Sequence, residues 1–431
     1  MAKQTAKNNI HTKLHWLESY WWLFLGAIFV ASFAYFAAGR HAPPGSNAAS
    51  GALPFDMPAN ATLKASGKKV FAHYFTPYPI SLDNKTSTSD YYTNGYLNPN
   101  GESGKHAAYG GLLRDRPLPR SPISSNYQLE DMKTEVRRAT DAGLDGFTVD
   151  LLSVGSTSTH WQRVQLLLQA APLVDSSFKM VLMPDGTASA TADINALTAA
   201  IGSVKDSSAL YKLSDGRVVI SPFAPEKQGA AWWQNFVNIM KNSYGMNVAL
   251  VPCFLNYSAN AAAFAPFSYG FSNWGNRSPA SNANLAANIN DAHARGKIWM
   301  QPVSVQDERP NQSIYDEANN TENLRVTWNT AINGADWVQV PTWNDYSEGT
   351  QLSPSVHNNW APLDITSYYI TRFKTGSWPT LKRDVLYVSH RSQPYAAKPT
   401  GGQTKFMTLR TGSSPARDAV EVLSLLPTAG M

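Results

Sequence analysis

From residue 69 onward, short apolar runs alternate with longer stretches whose apolar residues recur every three or four positions. The first pattern is that of a buried strand and the second that of an amphipathic helix, so the alternation predicts βα units around a parallel sheet. Strands are expected at 70–74, 146–151, 180–183, 218–221, 248–252, 269–273, 298–303 and 337–342. Helices are expected at 129–142, 161–171, 194–203, 231–241, 285–294, 322–332 and 365–373, and Gly143, Gly245, Gly296 and Gly334 fall where helix C-caps belong. About eight such units make residues 67–376 an α/β domain of the (β/α)8 TIM-barrel class. Residues 81–125 carry no period and are full of Asn, Gly, Tyr, Ser and Pro. In a barrel they form the excursion after the first strand, on the catalytic rim. Beyond them, residues 377–431 read as a short β-rich extension, with β-like pieces at 385–389, 406–411 and 419–425.

The N-terminal pattern differs. Residues 20–38 form an uncharged apolar run of the length a helix needs to cross a bilayer. Lys3, Lys7 and Lys13 precede it, and Trp16, Trp21 and Trp22 stand at the expected interface. The positive-inside rule then makes residues 1–19 a cytoplasmic basic segment, 20–38 a transmembrane anchor, and everything after it external. Small residues at Ser32 and Ala34, or at Ala37 and Gly39, also suit a signal peptidase, which would release the protein as a secreted one. Residues 39–66, rich in Pro, Gly, Ala, Ser and Asn, are expected to be a flexible linker.

Composition narrows the chemistry. With 43% hydrophobic and 16% charged residues the chain is no disordered polymer. The net charge of +5 is scattered rather than gathered in a stripe, so no nucleic-acid partner is expected. The single cysteine, Cys253, excludes an intrachain disulfide and is read as buried and inert. The nine histidines show no ligand spacing, so neither a metal nor another cofactor is expected. Thirteen Trp and nineteen Tyr are consistent with a sugar-binding cleft, because pyranose C–H faces pack on such rings, although most of them belong to an ordinary core.

In a barrel the active site lies where strands end, and acidic residues stand after several of them: Asp150, Asp185, Asp307, and Asp345 with Glu348, with Glu226 slightly farther from the fourth strand. Glycosidic cleavage needs one carboxylic acid to protonate the leaving oxygen and one carboxylate to activate water or attack. The segment Trp343-Asn344-Asp345-Tyr346-Ser347-Glu348 sets an aromatic wall, an amide and two carboxyls at the exit of the last strand, where no helix period explains the spacing. Asp345 and Glu348 are therefore the candidate catalytic pair, against the alternative of a turn residue and a solvated carboxylate. Trp343, Asn344 and Tyr346 are expected to line a substrate site. Asp150 and Asp185 are candidates for bonds to sugar hydroxyls or to a catalytic carboxyl, with loop capping as the alternative. His73 and Tyr74 end the first strand and are candidates for the glycone subsite, with a packed, hydrogen-bonded His73 as the alternative. Trp274, after the sixth strand, is a candidate sugar platform or else a core ring.

At these residues the chain resembles glycoside hydrolase family 71, the endo-α-1,3-glucanases or mutanases, and especially their bacterial members. The resemblance runs over residues 69–394. It rests on Lys69-Val70-Phe71-Ala72-His73-Tyr74-Phe75, on Asp141-Ala142-Gly143-Leu144-Asp145-Gly146-Phe147, and above all on Thr342-Trp343-Asn344-Asp345-Tyr346-Ser347-Glu348. It implies a polysaccharide substrate, an inverting reaction and Asp345 and Glu348 as the catalytic pair; which of them is acid and which base is not fixed by the sequence, and Glu348 is taken as the acid and Asp345 as the base. The 81–125 excursion departs from the short first loop of the fungal enzymes, which implies a different cleft. Glu348-Gly349-Thr350-Gln351 is similar to an element of the endo-α-mannosidase-type family 99. An endo-α-mannosidase-like or other α-glycosidase acting on exopolysaccharide is thus an alternative, and a non-catalytic polysaccharide-binding barrel is another, against which the two carboxyls argue.

Overall fold

A computed structural model describes residues 53–282 and 285–427. Its strands, in chain order, are β1 (Lys69–Tyr74), β2 (Gly146–Leu151), β3 (Lys179–Pro184), β4 (Val218–Ile220), β5 (Val248–Leu250), β6 (Cys253–Phe254) and β7 (Gly270–Asn273). They continue with β8 (Ile298–Pro302), β9 (Asp307–Arg309), β10 (Ile314–Asp316), β11 (Trp337–Val340), β12 (Val385–Ser389), β13 (Thr408–Leu409) and β14 (Glu421–Leu425). Nine of them form one parallel sheet in the order β5-β4-β3-β2-β1-β11-β8-β7-β6. The two strands at the ends of this order are consecutive in the chain, parted only by Val251 and Pro252. Val251 donates to the Ile220 carbonyl on the β4 side, and Ser272 donates to the Pro252 carbonyl on the β7 side. The sheet therefore curls round on itself, and the domain is TIM-barrel-like.

Side-chain alternation along each strand sorts two cores. Phe71, Val181, Val219, Ala249, Val251, Met300 and Trp337 fill the interior. Val70, Ala72 and Tyr74 of β1, with Phe147, Val149 and Leu151 of β2, pack outward against the helices. Those helices are α1 (Asn60–Ala65), α2 (Tyr127–Asp141), α3 (Thr159–Val174), α4 (Ile194–Ser203), α5 (Ala230–Tyr244), α6 (Tyr257–Phe264), α7 (Leu285–Ala294), α8 (Glu322–Ile332) and α9 (Ala361–Thr375). On α2 the buried Met132, Val136 and Ala139 recur at helical spacing, and Gly143 just beyond it takes φ +90, the left-handed turn a helix stop uses. Phe71 touches Tyr211 and Trp337 edge-on at 5.2 and 6.0 Å, so Phe71→Ala would open a cavity costing about 3–5 kcal/mol.

Four features differ from the sequence reading. Residues 53–66, expected within a flexible linker, pack on the domain: Phe55 and Leu63 are buried, and Asp56 N–H donates to the Thr380 carbonyl. Apolar side chains at 53, 55 and 63 outweigh the Pro/Gly/Ser background there. Helix α6 was not predicted, since Tyr-Ser-Ala-Asn-Ala-Ala-Ala-Phe has too many alanines to show an apolar stripe; Asn256 caps it by accepting from Ala259 N–H at 3.3 Å. The excursion 81–125, which shows no period in the sequence, has a small core, formed by its Tyr92 and Leu113 with Tyr78 and Tyr346. The C-terminal extension is divided: β12 pairs antiparallel with β14, whereas β13 joins β10 of the β9–β10 hairpin. Among the described residues no helix is long and apolar enough to cross a membrane; the run at 20–38 lies outside them.

Candidate active site

Where β11 ends, the chain turns over the mouth formed by the C-terminal ends of the strands. Thr342 Oγ1 accepts from Asp345 N–H at 2.8 Å and shares a 2.9 Å bond with Thr350 Oγ1, and Thr350 N–H returns to the Asp345 carbonyl. Gly349 has φ +61, and a Cβ there would come 2.3 Å from Glu308 Cγ, so this return requires glycine. The closed loop fixes the Asp345 carboxyl: its Oδ1 accepts from Ser347 N–H at 2.9 Å, Ser347 Oγ at 2.7 Å and Glu348 N–H at 3.1 Å. Glu348 projects from the same turn, its side chain 21% exposed. Its Oε1 lies 2.7 Å from Arg309 Nη1, and its Oε2 is buried without a partner.

The interior-facing ends of β1, β2 and β3 complete the mouth. His73 and Asp150 face each other with Nε2 and Oδ2 4.0 Å apart, His73 Nδ1 meets Met183 Sδ at 3.0 Å, and Asp150 Oδ1 is buried and unpartnered. Asp185 is held much as Asp345 is, accepting from Thr187 N–H at 2.6 Å and Thr187 Oγ1 at 2.7 Å. The half-buried Trp274 ring stands edge-on to His73 at 5.0 Å.

Burial governs the proton balance here. It pushes Glu348 up to about 8, with the Asp345 charge adding and Arg309 opposing. Burial raises Asp345 as well, but the Ser347 hydroxyl and the backbone N–H groups on its Oδ1 favour its charged form. Asp150 is raised well above the carboxylate range by burial and by the charges of Asp185 and Asp345, so the three carboxyls sense one another. His73, pushed down to about 3 by burial and by Arg277, is neutral. The Arg309 charge that opposes the rise of Glu348 is shared, because Asp307 takes its Nε at 2.8 and 2.9 Å.

The other expected site residues lie elsewhere. Tyr74 points from β1 into the helix-side core, where its hydroxyl donates to Met132 Sδ. Adjacent strand residues face opposite sides, so His73 and Tyr74 cannot both line the mouth. Trp343 is no aromatic wall either, being fully buried on the helix side with its Nε1 donating to Glu135 at 2.9 Å. Asn344 clamps the chain after β1: its Oδ1 accepts from Phe75 N–H, and its Nδ2 donates to the Phe75 and Tyr78 carbonyls. Tyr346 is buried beneath the excursion, its hydroxyl paired with Ser353. Glu226 Oε1 accepts from Leu255 and Asn256 N–H, and Cys253 is buried, its thiol pushed up to about 12 by burial. Tyr74, Trp343, Asn344 and Tyr346 thus build the site's support without lining it, while Cys253 is buried as the sequence implies.

Three residues at the mouth escaped the sequence reading. Arg309 comes from a β9–β10 hairpin that no pattern announced. Arg277 is buried, donates to the Trp274 and Gly275 carbonyls, and lies 5.3 Å over the Trp274 ring. The Tyr78 hydroxyl is pushed up by burial and by the Asp345 charge, so it stays a neutral donor beside that carboxylate. Its Tyr-Pro setting carries only a turn signal.

The sequence matches the model for Glycosyl hydrolase family 71 over residues 121–430, more than half of the chain. The chain belongs to this family. It is therefore a glycoside hydrolase. This family 71 enzyme is 24% identical over 250 residues to the ascus wall endo-1,3-alpha-glucanase of Schizosaccharomyces pombe. That match covers 54% of this chain and 56% of the relative, so it spans little more than half of that protein's length. It is 26% identical over 310 residues to the glucan endo-1,3-alpha-glucosidase agn1 of the same yeast, covering 65% of this chain and 70% of the relative. Among solved structures, the family 99 endo-alpha-mannosidase from Bacteroides thetaiotaomicron aligns at TM-score 0.52 and 18% identity, over 71% of this chain and 97% of that one. That likeness concerns the fold.

Proposed function

We propose that this hydrolase cleaves α-1,3 bonds within a glucan by inversion, with Glu348 as general acid and Asp345 as general base. The observation that carries the reading is the unequal pair at the β11 exit. Glu348 keeps its proton up to about 8 and has a free oxygen, while Asp345 has three donors that stabilise its carboxylate. Two carboxyls set apart in this way, one short of partners and the other held by three donors, suit acid and base roles. In the reaction, Asp345 takes a proton from water as its oxygen bonds to the anomeric carbon. The C–O bond to the leaving sugar breaks, and Glu348 protonates that oxygen. In this reading Asp150 and Asp185 bond sugar hydroxyls and the Trp274 ring packs on a pyranose face, supported by the unpartnered Asp150 oxygen and the half-buried ring at the mouth. The names of the two yeast relatives, an endo-1,3-alpha-glucanase and a glucan endo-1,3-alpha-glucosidase, support the α-1,3-glucan, and the chain pairing supports a closed eight-stranded (β/α)8 barrel.

The same proposal divides the chain into a basic segment (1–19), an anchor (20–38), a short linker, the hydrolase barrel to residue 376 and the extension 377–431. The uncharged run behind Lys3, Lys7 and Lys13 supports a hydrolase held outside the cytoplasm. Protease shaving of intact cells should then reach a C-terminal tag; protection of the tag contradicts this topology. The chemistry is tested by following the anomers released from soluble α-1,3-gluco-oligosaccharides by proton NMR. The β anomer should appear first, and initial release of the α anomer contradicts inversion.

A further inference from the structure

Residues 404–414 of the C-terminal extension run along the loops around the catalytic mouth. Thr404 and Lys405 N–H both donate to the Ala108 carbonyl, at 2.9 and 2.8 Å, in the excursion that follows β1. Thr408 and Arg410 N–H donate to the Ser313 and Tyr315 carbonyls at 3.0 and 2.9 Å, laying β13 beside β10. Ser414 N–H then donates to Ser278 Oγ at 2.7 Å in the loop after β7. One short strap thus ties the loops that follow β1, β8 and β7.

Arg410 of this strap reaches the acids behind Glu348. Its Nε donates to Asp316 Oδ2 at 3.0 Å, and its Nη2 lies 3.6 Å from Asp307 Oδ1. Asp307 also takes Arg309 through Nε and, at 2.5 Å, Nη2, which leaves Arg309 Nη1 for Glu348 Oε1 at 2.7 Å. Charges of alternating sign therefore run Arg410, Asp307, Arg309 and end at the Glu348 carboxyl. A guanidinium gripped through two nitrogens by one carboxylate has its plane fixed, and so has the third nitrogen that it presents to a second.

We propose that Arg410 is a positioning residue for the hydrolysis, and that the strap, through Asp307 and Arg309, sets where Glu348 points and how firmly it holds its proton. This rests on the reading of Glu348 as the acid. The charged groups facing Glu348 are Asp345 on its own loop, Asp307 and Arg309 on β9, and Arg277 from the loop after β7. Without Arg410 the Asp307 charge is less compensated and draws Arg309 more strongly. Both effects surround Glu348 with more negative potential, so it keeps its proton to higher pH. Without the Asp307 charge the effect reverses, and Arg309 is left to Glu348 alone.

The test is the pH dependence of kcat/KM of the full chain on soluble α-1,3-gluco-oligosaccharides, for wild type, R410Q, R410K, D307N and E348Q. R410Q should move the alkaline limb up by about half a pH unit, since charges at this range in a half-buried site retain that much influence. Its kcat should fall about 10-fold with KM within about twofold, as for a mispositioned acid. R410K should restore most of both, and D307N should move the limb down. Unmoved limbs in R410Q and D307N, or shifts of the same sign, overturn the proposal. Should R410Q fail to fold, D307N decides alone, an unmoved or raised limb overturning it. If E348Q is inactive while the other limbs do not move, the strap alone is refuted; if E348Q keeps wild-type turnover, the assignment of the acid itself is at fault.

Discussion

Asp145 and Asp150 stand at opposite ends of β2, both almost wholly buried, in opposite surroundings. At the N-terminal mouth Asp145 Oδ2 accepts from Val70 N–H at 2.7 Å and pairs with Lys374 Nζ at 2.6 Å, and Lys374 also donates to the Gly143 carbonyl. At the C-terminal mouth Asp150 has one oxygen without a partner, the other 4.0 Å from a neutral His73, and two further carboxyls close enough to raise it. A carboxyl met by a backbone donor and a buried lysine contributes to the native state. A carboxyl left short of partners among like charges gives up stability and keeps a group ready for a substrate hydroxyl or a proton. The two mouths of the barrel divide these roles, as the placement of sites at strand ends leads one to expect.

The comparison can be broken most forcefully at the lower mouth. Lys374→Met strands the Asp145 carboxylate and should cost about 3–5 kcal/mol in denaturant unfolding, because a buried charge loses its partner. Its kcat should stay within about twofold, and a large loss of kcat in well-folded protein would erase the distinction between the mouths. At the upper mouth the effect should fall on rate: Asp345→Asn and Glu348→Gln should each lower kcat by on the order of 100-fold, about 2.7 kcal/mol, with the melting temperature kept. Glu348 carries the sign further. Its folded value is raised to about 8 from 4.5, so the stability it contributes is present below 4.5 and lost as pH rises through 8. Glu348→Gln should therefore be at least as stable as wild type at pH 8. Asp150→Asn, isosteric with the protonated acid, should cost about 10-fold in kcat/KM, the worth of one neutral hydrogen bond, without loss of stability. The smallest effect belongs to a chain beginning at Leu53, which leaves both mouths intact and should keep melting temperature and kcat nearly unchanged. Beginning at Gly67 instead would remove the buried Phe55 and Leu63.

Much of this architecture could be read from periodicity. The strand and helix spans at 146–151, 194–203, 285–294, 322–332 and 385–389 coincide with those of the structure, because a strong apolar period fixes type and extent together. The acidic positions after the strands were legible for the same reason. Side-chain direction was read less well. Period two along β1 already sets His73 against Tyr74, and neglecting it put Tyr74 in the cleft. Trp343 and Asn344 lie past the strand end, where no period reports direction, and only their bonds to Glu135 and to the chain after β1 show them to be supports. Arg309 and Arg410 were beyond reach, since they meet Glu348 and Asp307 from a hairpin and from the C-terminal extension, with no local motif linking them.

The pH profile of kcat/KM tests the account most directly. Glu348 must be protonated to act as the acid, so wild-type activity should persist through neutrality and fall as pH rises past about 8, and the residual activity of Glu348→Gln should lack that limb. A wild-type limb at about 4 to 5, where an unperturbed carboxyl titrates, or a Glu348→Gln variant that keeps both the limb and the wild-type rate, would contradict it.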